Sequence, residues 1–240
     1  MSNNVTIAGD GYIGQGTYNK INVMGSANSD GDIICESLKI NGEAEFKGNI
    51  DAKVFKVNGD CDVEGSVNAN KLTVNGDLTV NGTIECNNVT IRGDITITET
   101  LYAKNLKIYG SLKINGNVEA DDIKIYGEVN CNGLLTGEEI YIYPKGLSKC
   151  KEIGATNILV DSNKNMDIFK RIFAFGMGSL GKLHCDVIEG DNIKIRNTKV
   201  DKLNGKNITL ISKCEVENLE YTDNLEISSD SRVRNKTKVG

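Results

Sequence analysis

The chain of 240 residues has no tryptophan, one proline (Pro144) and one histidine (His184), and only 5% of its residues are aromatic. So little aromatic bulk excludes a wide, Phe- and Leu-rich globular core. A lone proline leaves long backbone ladders possible, because each interior proline would delete a ladder hydrogen bond. A lone histidine leaves little material for imidazole acid–base chemistry. No apolar run approaches the roughly 18 residues that span a bilayer. The opening MSNNVTIAGDGYIGQG has no basic stretch followed by an apolar one, so no signal peptide is expected. The seven cysteines include no C-x-x-C pair and no disulfide-module spacing, which points to a reducing, cytoplasmic setting.

What is abundant is glycine, 26 residues, among asparagine, valine and isoleucine, a composition suited to short strands with tight corners. The net charge of −5 conceals an asymmetry. Residues 1–146 carry 12 basic against 20 acidic side chains, and residues 147–240 carry 16 against 13. An acidic body with a mildly basic end argues against nucleic acid as a partner.

The stretch LTVNGDLTVNGTIECNN at 72–88 carries Asn-Gly between alternating apolar runs, a strong hairpin signal. The phrase recurs, however, as INVMG at 21, LKING at 38, FKVNG at 55, LTVNG at 72, VTIRG at 89, LKIYG at 106, IKIYG at 123 and IYIYP at 140, always at the same interval. An earlier copy, VTIAG, begins at Val5, one position short of that interval before the first. With the first apolar residue of each copy numbered 1, positions 1 and 3, 7 and 9, and 13 and 15 are apolar or small, as in Leu72, Val74, Leu78, Val80, Ile84 and Cys86. Each pair lies on one face of a short strand. Glycine recurs at positions 5 and 11, where it is expected to turn corners through φ > 0. A meander of hairpins gives no reason for a 17-residue period over eight copies. A coil does, because each residue then stacks on its counterpart one turn away, about 4.8 Å distant. The sequence therefore predicts an all-β fold, a single-stranded parallel β-helix of triangular turns with three strands and three corners each. Outward position 4 (Asn41, Asn58, Asn75, Arg92, Tyr109, Tyr126, Tyr143) reads as a stacking ladder. Position 6 (Glu43, Asp60, Asp77, Asp94, Ser111, Glu128) reads as an exposed, solvated acidic edge.

Beyond Pro144 the period breaks, which divides the chain into a regular β-helix (1–146), an irregular insertion (147–182) and irregular turns or a cap (183–240). In the last segment GKLHC matches positions 11–15, and IKIR at 193, ITLI at 208 and LEIS at 225 resume the coil.

The stacked V-x-G turns, the opening GDGYIGQGTYNKINVMGS, SKCKEIG at 148, IEGDNIKIRNTKV at 188 and KCEVENLEY at 213 together resemble the bactofilins. They are most similar to the polymer-forming cytoskeletal proteins of spore-forming Gram-positive bacteria, and the resemblance covers almost the whole chain. It implies a right-handed β-helix, a cytoplasmic location, and end-to-end assembly without nucleotide, often at the membrane. The usual short bactofilin has one coil domain between disordered tails, whereas the last third of this chain reads as structured.

Candidate chemistry is sparse. His184, between inward-facing Leu183 and Cys185, turns outward without a visible acid, base or metal partner. The cysteines read as small buried hydrophobes. Cys35 and Cys86 share position 15 but stand three turns apart, about 14 Å. Arg92, Gly93 and Asp94 spell an adhesion tripeptide but occupy a repeat corner. The acidic edge strings its carboxylates out instead of converging them on one calcium ion. The basic-aromatic segment at 169–175 (Phe169, Lys170, Arg171, Ile172, Phe173, Phe175) is a candidate membrane or partner contact. In RVRNKTKVG at the other end, Arg232, Arg234, Lys236 and Lys238 are expected to share one face and guard an edge.

The expected function is a non-enzymatic scaffold without cofactor or metal, assembling with itself or with a sibling bactofilin-like protein. Every coil end offers unpaired backbone groups, and the first turn (Val5, Thr6, Ile7) has no cap and no charge among residues 1–9, so it is the expected association end. Two rival readings are a hexapeptide-type acyltransferase, which needs a groove histidine, and an interaction module for envelope or motility proteins.

Overall fold

A computed structural model describes residues 3–162 and 181–239. The basic-aromatic segment at 169–175 lies outside the described residues. Every regular element among those described is a strand, and the fold is a parallel β-solenoid of about 13 turns with ~17 residues per turn. The chain divides into two units, Met1–Asp121 and Asp122–Gly240.

The first unit contains β1 (Asn3–Ile7), β2 (Asp10–Tyr12), β3 (Gly16–Val23), β4 (Ser26–Ser29), β5 (Ile33–Ile40), β6 (Glu43–Phe46), β7 (Ile50–Val57), β8 (Asp60–Val63), β9 (Val67–Val74), β10 (Asp77–Val80), β11 (Ile84–Ile91), β12 (Asp94–Ile97), β13 (Leu101–Ile108) and β14 (Ser111–Ile114). Its strands pair in parallel, each on its counterpart one turn on: β9 lies on β11 with Leu72 opposite Val89, and β10 on β12 with Leu78 opposite Ile95. The six inward columns are those read from the sequence, with Leu72, Val74, Leu78, Val80, Ile84 and Cys86 all buried. Each turn uses two strands, not three. Positions 13–15 and 1–3 belong to one eight-residue strand whose third corner is a break in alternation, the two consecutive outward residues Asn87 and Asn88 in β11.

The glycine corners hold for a different reason from the one expected. None of Gly25, Gly42, Gly59, Gly76, Gly93 and Gly110 has positive φ. Instead the corner glycines stack, and a Cβ on Gly76 would lie 2.2 Å from the carbonyl oxygen of Gly59 one turn away. Backbone proximity between turns, not turn handedness, demands glycine there.

β15 (Val118–Ile125) straddles the division. The second unit continues with β16 (Glu128–Ile142), β17 (Leu147–Val160), β18 (Lys182–Arg196), β19 (Thr198–Ser212), β20 (Glu215–Ile227) and β21 (Arg232–Lys238). Residues 147–160, read as the start of an irregular insertion, form β17, which pairs along its length with β16 and β18. The period is lost because the corners change length while the sides keep their register. Ile140 pairs with Ile158, one position beyond the regular interval, and Ile193 pairs with Ile208, two positions short of it. The shorter turn draws one corner tight at Asn197, whose φ of 50° is a conformation asparagine tolerates better than most residues. Its side-chain amide also donates to Gly181 O at 2.7 Å.

Register also corrects the placement of GKLHC. Cys185 pairs with Cys150, and Cys150 with Cys131, so Leu183 and Cys185 occupy positions 7 and 9, not 13 and 15. An apolar-x-apolar pattern is the same on any side of the triangle, and only pairing tells the sides apart.

Candidate assembly edge

Strand β1 exists because Asn3–Ile7 alternates, placing Val5 and Ile7 inward over Ile21 and Val23 of β3. One face of this ladder is secured. Met24 N donates to Ile7 O at 2.8 Å, and Asn19 Nδ2 to Asn4 Oδ1 at 3.0 Å. Ile7 also fills the space over Gly11, where a Cβ would meet its Cδ1 at 2.7 Å. Tyr18 closes the turn by donating its hydroxyl to Gly14 O at 2.6 Å. Among the described residues β1 pairs with β3 alone, so the backbone groups on its other edge have no strand partner. Val5 and Ile7 are half-buried, whereas their column mates Ile21 and Val23 are fully covered. The edge therefore combines free ladder groups with uncovered apolar columns, and Thr6 is exposed between them.

The strand β21 is different. Val233 continues the Val200–Val216 column, but a corner follows, and Lys236 pairs with Leu219 on an inward column. Leu219 is buried, 1% exposed, beneath it. Arg232, Arg234, Lys236 and Lys238 therefore do not share one face. Arg234 reaches Glu217 at 2.5 Å, and the Lys238 ammonium lies 5.9 Å from the Tyr221 ring centroid. Placing a charged side chain on an inward column is one way proteins discourage strand addition.

The outward ladders are as the sequence suggested and more extensive. Asn75 donates to Asn58 at 2.7 Å, Asn58 to Asn41 at 2.8 Å, and Asn41 to Asn22 at 2.9 Å. Arg92 extends the column, reaching Asn75 at 3.3 Å and lying 5.9 Å from the Tyr109 ring centroid. The adhesion-like tripeptide is thus a ladder corner. Tyr126 and Tyr143 stack at 5.4 Å with an interplanar angle of 3°. The acidic column Glu43, Asp60, Asp77 and Asp94 is exposed throughout.

Two further ladders are not evident from the repeat template. In the second unit Asn224, Asn207, Asn192 and Asn157 hand a side-chain bond down the turns to Glu139 Oε1. Its signal in the sequence is the asparagine standing just before each column-1 residue, as in Asn192-Ile193 and Asn207-Ile208. In the first unit Asp32, Asn49 and Ser66 each accept a backbone N–H from one turn on, from Asn49, Ser66 and Thr83, at 2.7, 2.8 and 3.1 Å. These polar atoms act as caps between turns.

His184 is exposed, with Lys149 and Lys199 as its register partners. None of the seven cysteines is in a disulfide, and all are buried. Burial, reinforced by Asp51 and Glu36, pushes the Cys35 thiol up to about 11, and burial pushes Cys185 up to about 12. Such thiols are protonated and poor nucleophiles. Among the described residues no group of three or more His, Cys, Asp or Glu is arranged to hold a metal ion, and no helix is long and apolar enough to cross a membrane.

Comparison with known proteins locates this architecture. Residues 44–136 match the family model for bactofilin, described as polymer-forming cytoskeletal. The chain is 33% identical over 93 residues to the uncharacterized protein YhbF of Bacillus subtilis (strain 168), covering 39% of this chain and 36% of that one. It is 28% identical over 94 residues to YhbE of the same organism, covering 39% of this chain and 38% of that one. The aligned part thus spans little more than a third of the length of these relatives. No solved structure matches the chain.

Proposed function

We propose that this chain, whose residues 44–136 match the bactofilin family model, is a non-enzymatic scaffold subunit that associates through the open edge of β1 with a second copy of itself or a sibling bactofilin-like protein. The observation that carries the reading is the pair Val5 and Ile7, half-buried where their column mates one turn on, Ile21 and Val23, are fully covered, beside a strand edge without a partner among the described residues. Adding a strand there would pair the idle backbone groups and remove the two side chains from water, the combination that drives β-augmentation. The non-enzymatic part of the reading is supported by the description of the matching family model as polymer-forming cytoskeletal.

Sedimentation velocity and negative-stain microscopy of the purified chain test the reading. Assembly into dimers or filaments that Val5→Lys and Ile7→Lys abolish, with circular dichroism unchanged, supports it. Assembly that persists in both variants refutes it. Contact with a membrane surface through residues 169–175, at the inner face of the cell membrane, is a separate proposal resting on sequence alone. Co-sedimentation with anionic vesicles tests it, with Phe169→Ser/Phe173→Ser as the variant expected to stay in solution.

A further inference from the structure

Position 9 is a column of aliphatic or aromatic side chains through most of the chain: Phe46, Val63, Val80, Ile97 and Ile114 in the first unit, and Val200, Val216 and Val233 near the end. Three consecutive turns of the second unit break the rule. Cys131 pairs in register with Cys150, and Cys150 with Cys185, so three thiols stand one above another on a single inward column. They are 2%, 4% and 5% exposed, and none is in a disulfide. Valine demonstrably fits the same column one turn later, so filling space does not by itself call for three sulfurs in a row.

We propose that this thiol column is a binding site for one soft, two-coordinate monovalent metal ion of the cuprous class, held linearly between Cys150 and one of its two neighbours.

The spacing selects the coordination. Adjacent turns lie about 4.8 Å apart, close to twice a metal–thiolate bond of about 2.3 Å. The outer thiols are about twice the turn spacing apart, so one ion meets two sulfurs and not three. Zinc, which takes four ligands, has no histidine or carboxylate within this column to complete its shell. Soft thiolates favour a cuprous ion, which accepts two ligands. On binding, each sulfur gives a lone pair to the metal and its proton to solvent. No electron changes hands, and the complex carries one negative charge. The outward column beside it answers that charge with Lys149 and Lys199, which stand in register on either side of His184.

Because both pairs share Cys150, the stoichiometry is diagnostic. The reduced full-length chain is titrated anaerobically with cuprous ion against a chromophoric cuprous chelator, and the bound ion is examined by X-ray absorption. The expected result is one ion retained, with two sulfur neighbours. Cys131→Val and Cys185→Val each keep one ion, because one pair survives. Cys150→Val and the double variant Cys131→Val/Cys185→Val keep none, while Cys61→Val, at another column, keeps one. Valine is the natural occupant of this column, and an unchanged melting curve verifies that each variant folds. Retention of the ion by Cys150→Val, its loss from the wild type to the chelator, or a shell of three or more ligands overturns the assignment.

Discussion

Asn75 donates its side-chain amide to the side-chain oxygen of Asn58, its counterpart one turn earlier, at 2.7 Å. Asn58 in turn donates to Asn41 at 2.8 Å, so the middle amide uses both its donor and its acceptor. Replacing Asn58 by alanine deletes two bonds and leaves two neighbours to water. At about 0.5–1.5 kcal/mol per net hydrogen bond, lowered by exposure, the expected loss is about 1 kcal/mol. Asn58→Asp keeps the acceptor but loses the donor, and at neutral pH its loss should be of similar size. Urea midpoints at constant m-value measure both. Equal stability of all three chains contradicts a contributing ladder.

The corner glycines make a sharper test, because their stacking and their φ angles lead to different expectations. A Cβ on Gly76 meets a backbone carbonyl at 2.2 Å, whereas one on Gly9 finds nothing within 4 Å. Gly76→Ala should therefore cost at least the 1–3 kcal/mol or so typical of overpacking. Gly9→Ala should be neutral within about 0.5 kcal/mol. Thermal melts of the two variants, each against wild type, decide it. A neutral Gly76→Ala would mean that neighbouring turns can separate locally at little cost.

Much of this fold is legible because stacking forces like residues into columns. Leu72, Val89 and Leu106 announce a shared column before any coordinates exist. What escapes is whatever periodicity alone leaves degenerate. Leu183 and Cys185 alternate identically on any side of the triangle, so only their pairing with Ser148 and Cys150 reveals the side. Sequence shows that glycine is required at Gly76 but not whether φ or contact requires it, and the expectation of positive φ fails there. The strand Leu147–Val160 is hidden where its corners change length, since a fixed template cannot follow turns that are longer or shorter than the rest.

The buried thiols set an alkaline limit. Cys35 stays protonated to about 11 and Cys185 to about 12, above the ordinary thiol value near 9. Between those values the unfolded chain has released protons that the native chain still holds, so the unfolded state gains stability as pH rises. Stability is fully present below about pH 8.5 and falls above it by up to one proton's slope per thiol until the native thiol itself ionises. Cys35→Ala should remove one proton's worth of that slope, and alanine already occupies the same column at Ala52 and Ala69. Urea titrations at several pH values between 8 and 11 measure it, and a slope unchanged in Cys35→Ala would show that Cys35 ionises as it does in the unfolded chain.

At the acid end the responsible group is Asp230. Ser212 Oγ donates to one of its oxygens at 2.6 Å and Ser228 Oγ to the other at 2.7 Å. These bonds favour the charged form and hold the carboxyl down to about 2, below its ordinary 3.8. Here the sign is opposite to that of the thiols. The stabilising contribution is present above about pH 4 and is lost as pH falls towards 2, because the unfolded chain takes up the proton first. The corner that Asp230 ties together includes Lys213, whose φ of 51° is a strained conformation for lysine. Protonating Asp230 weakens the bonds that hold this corner, so the turn carrying β21 should loosen before the rest of the unit. A carboxyl-detected NMR titration should give Asp230 a midpoint near 2 in the wild type and near 4 in Ser212→Ala/Ser228→Ala. Amide exchange at Arg232–Lys238 should accelerate over the same pH interval, after correction for intrinsic rates, and should do so at higher pH in the double variant. A normal midpoint in the wild type would remove the two serines as its cause.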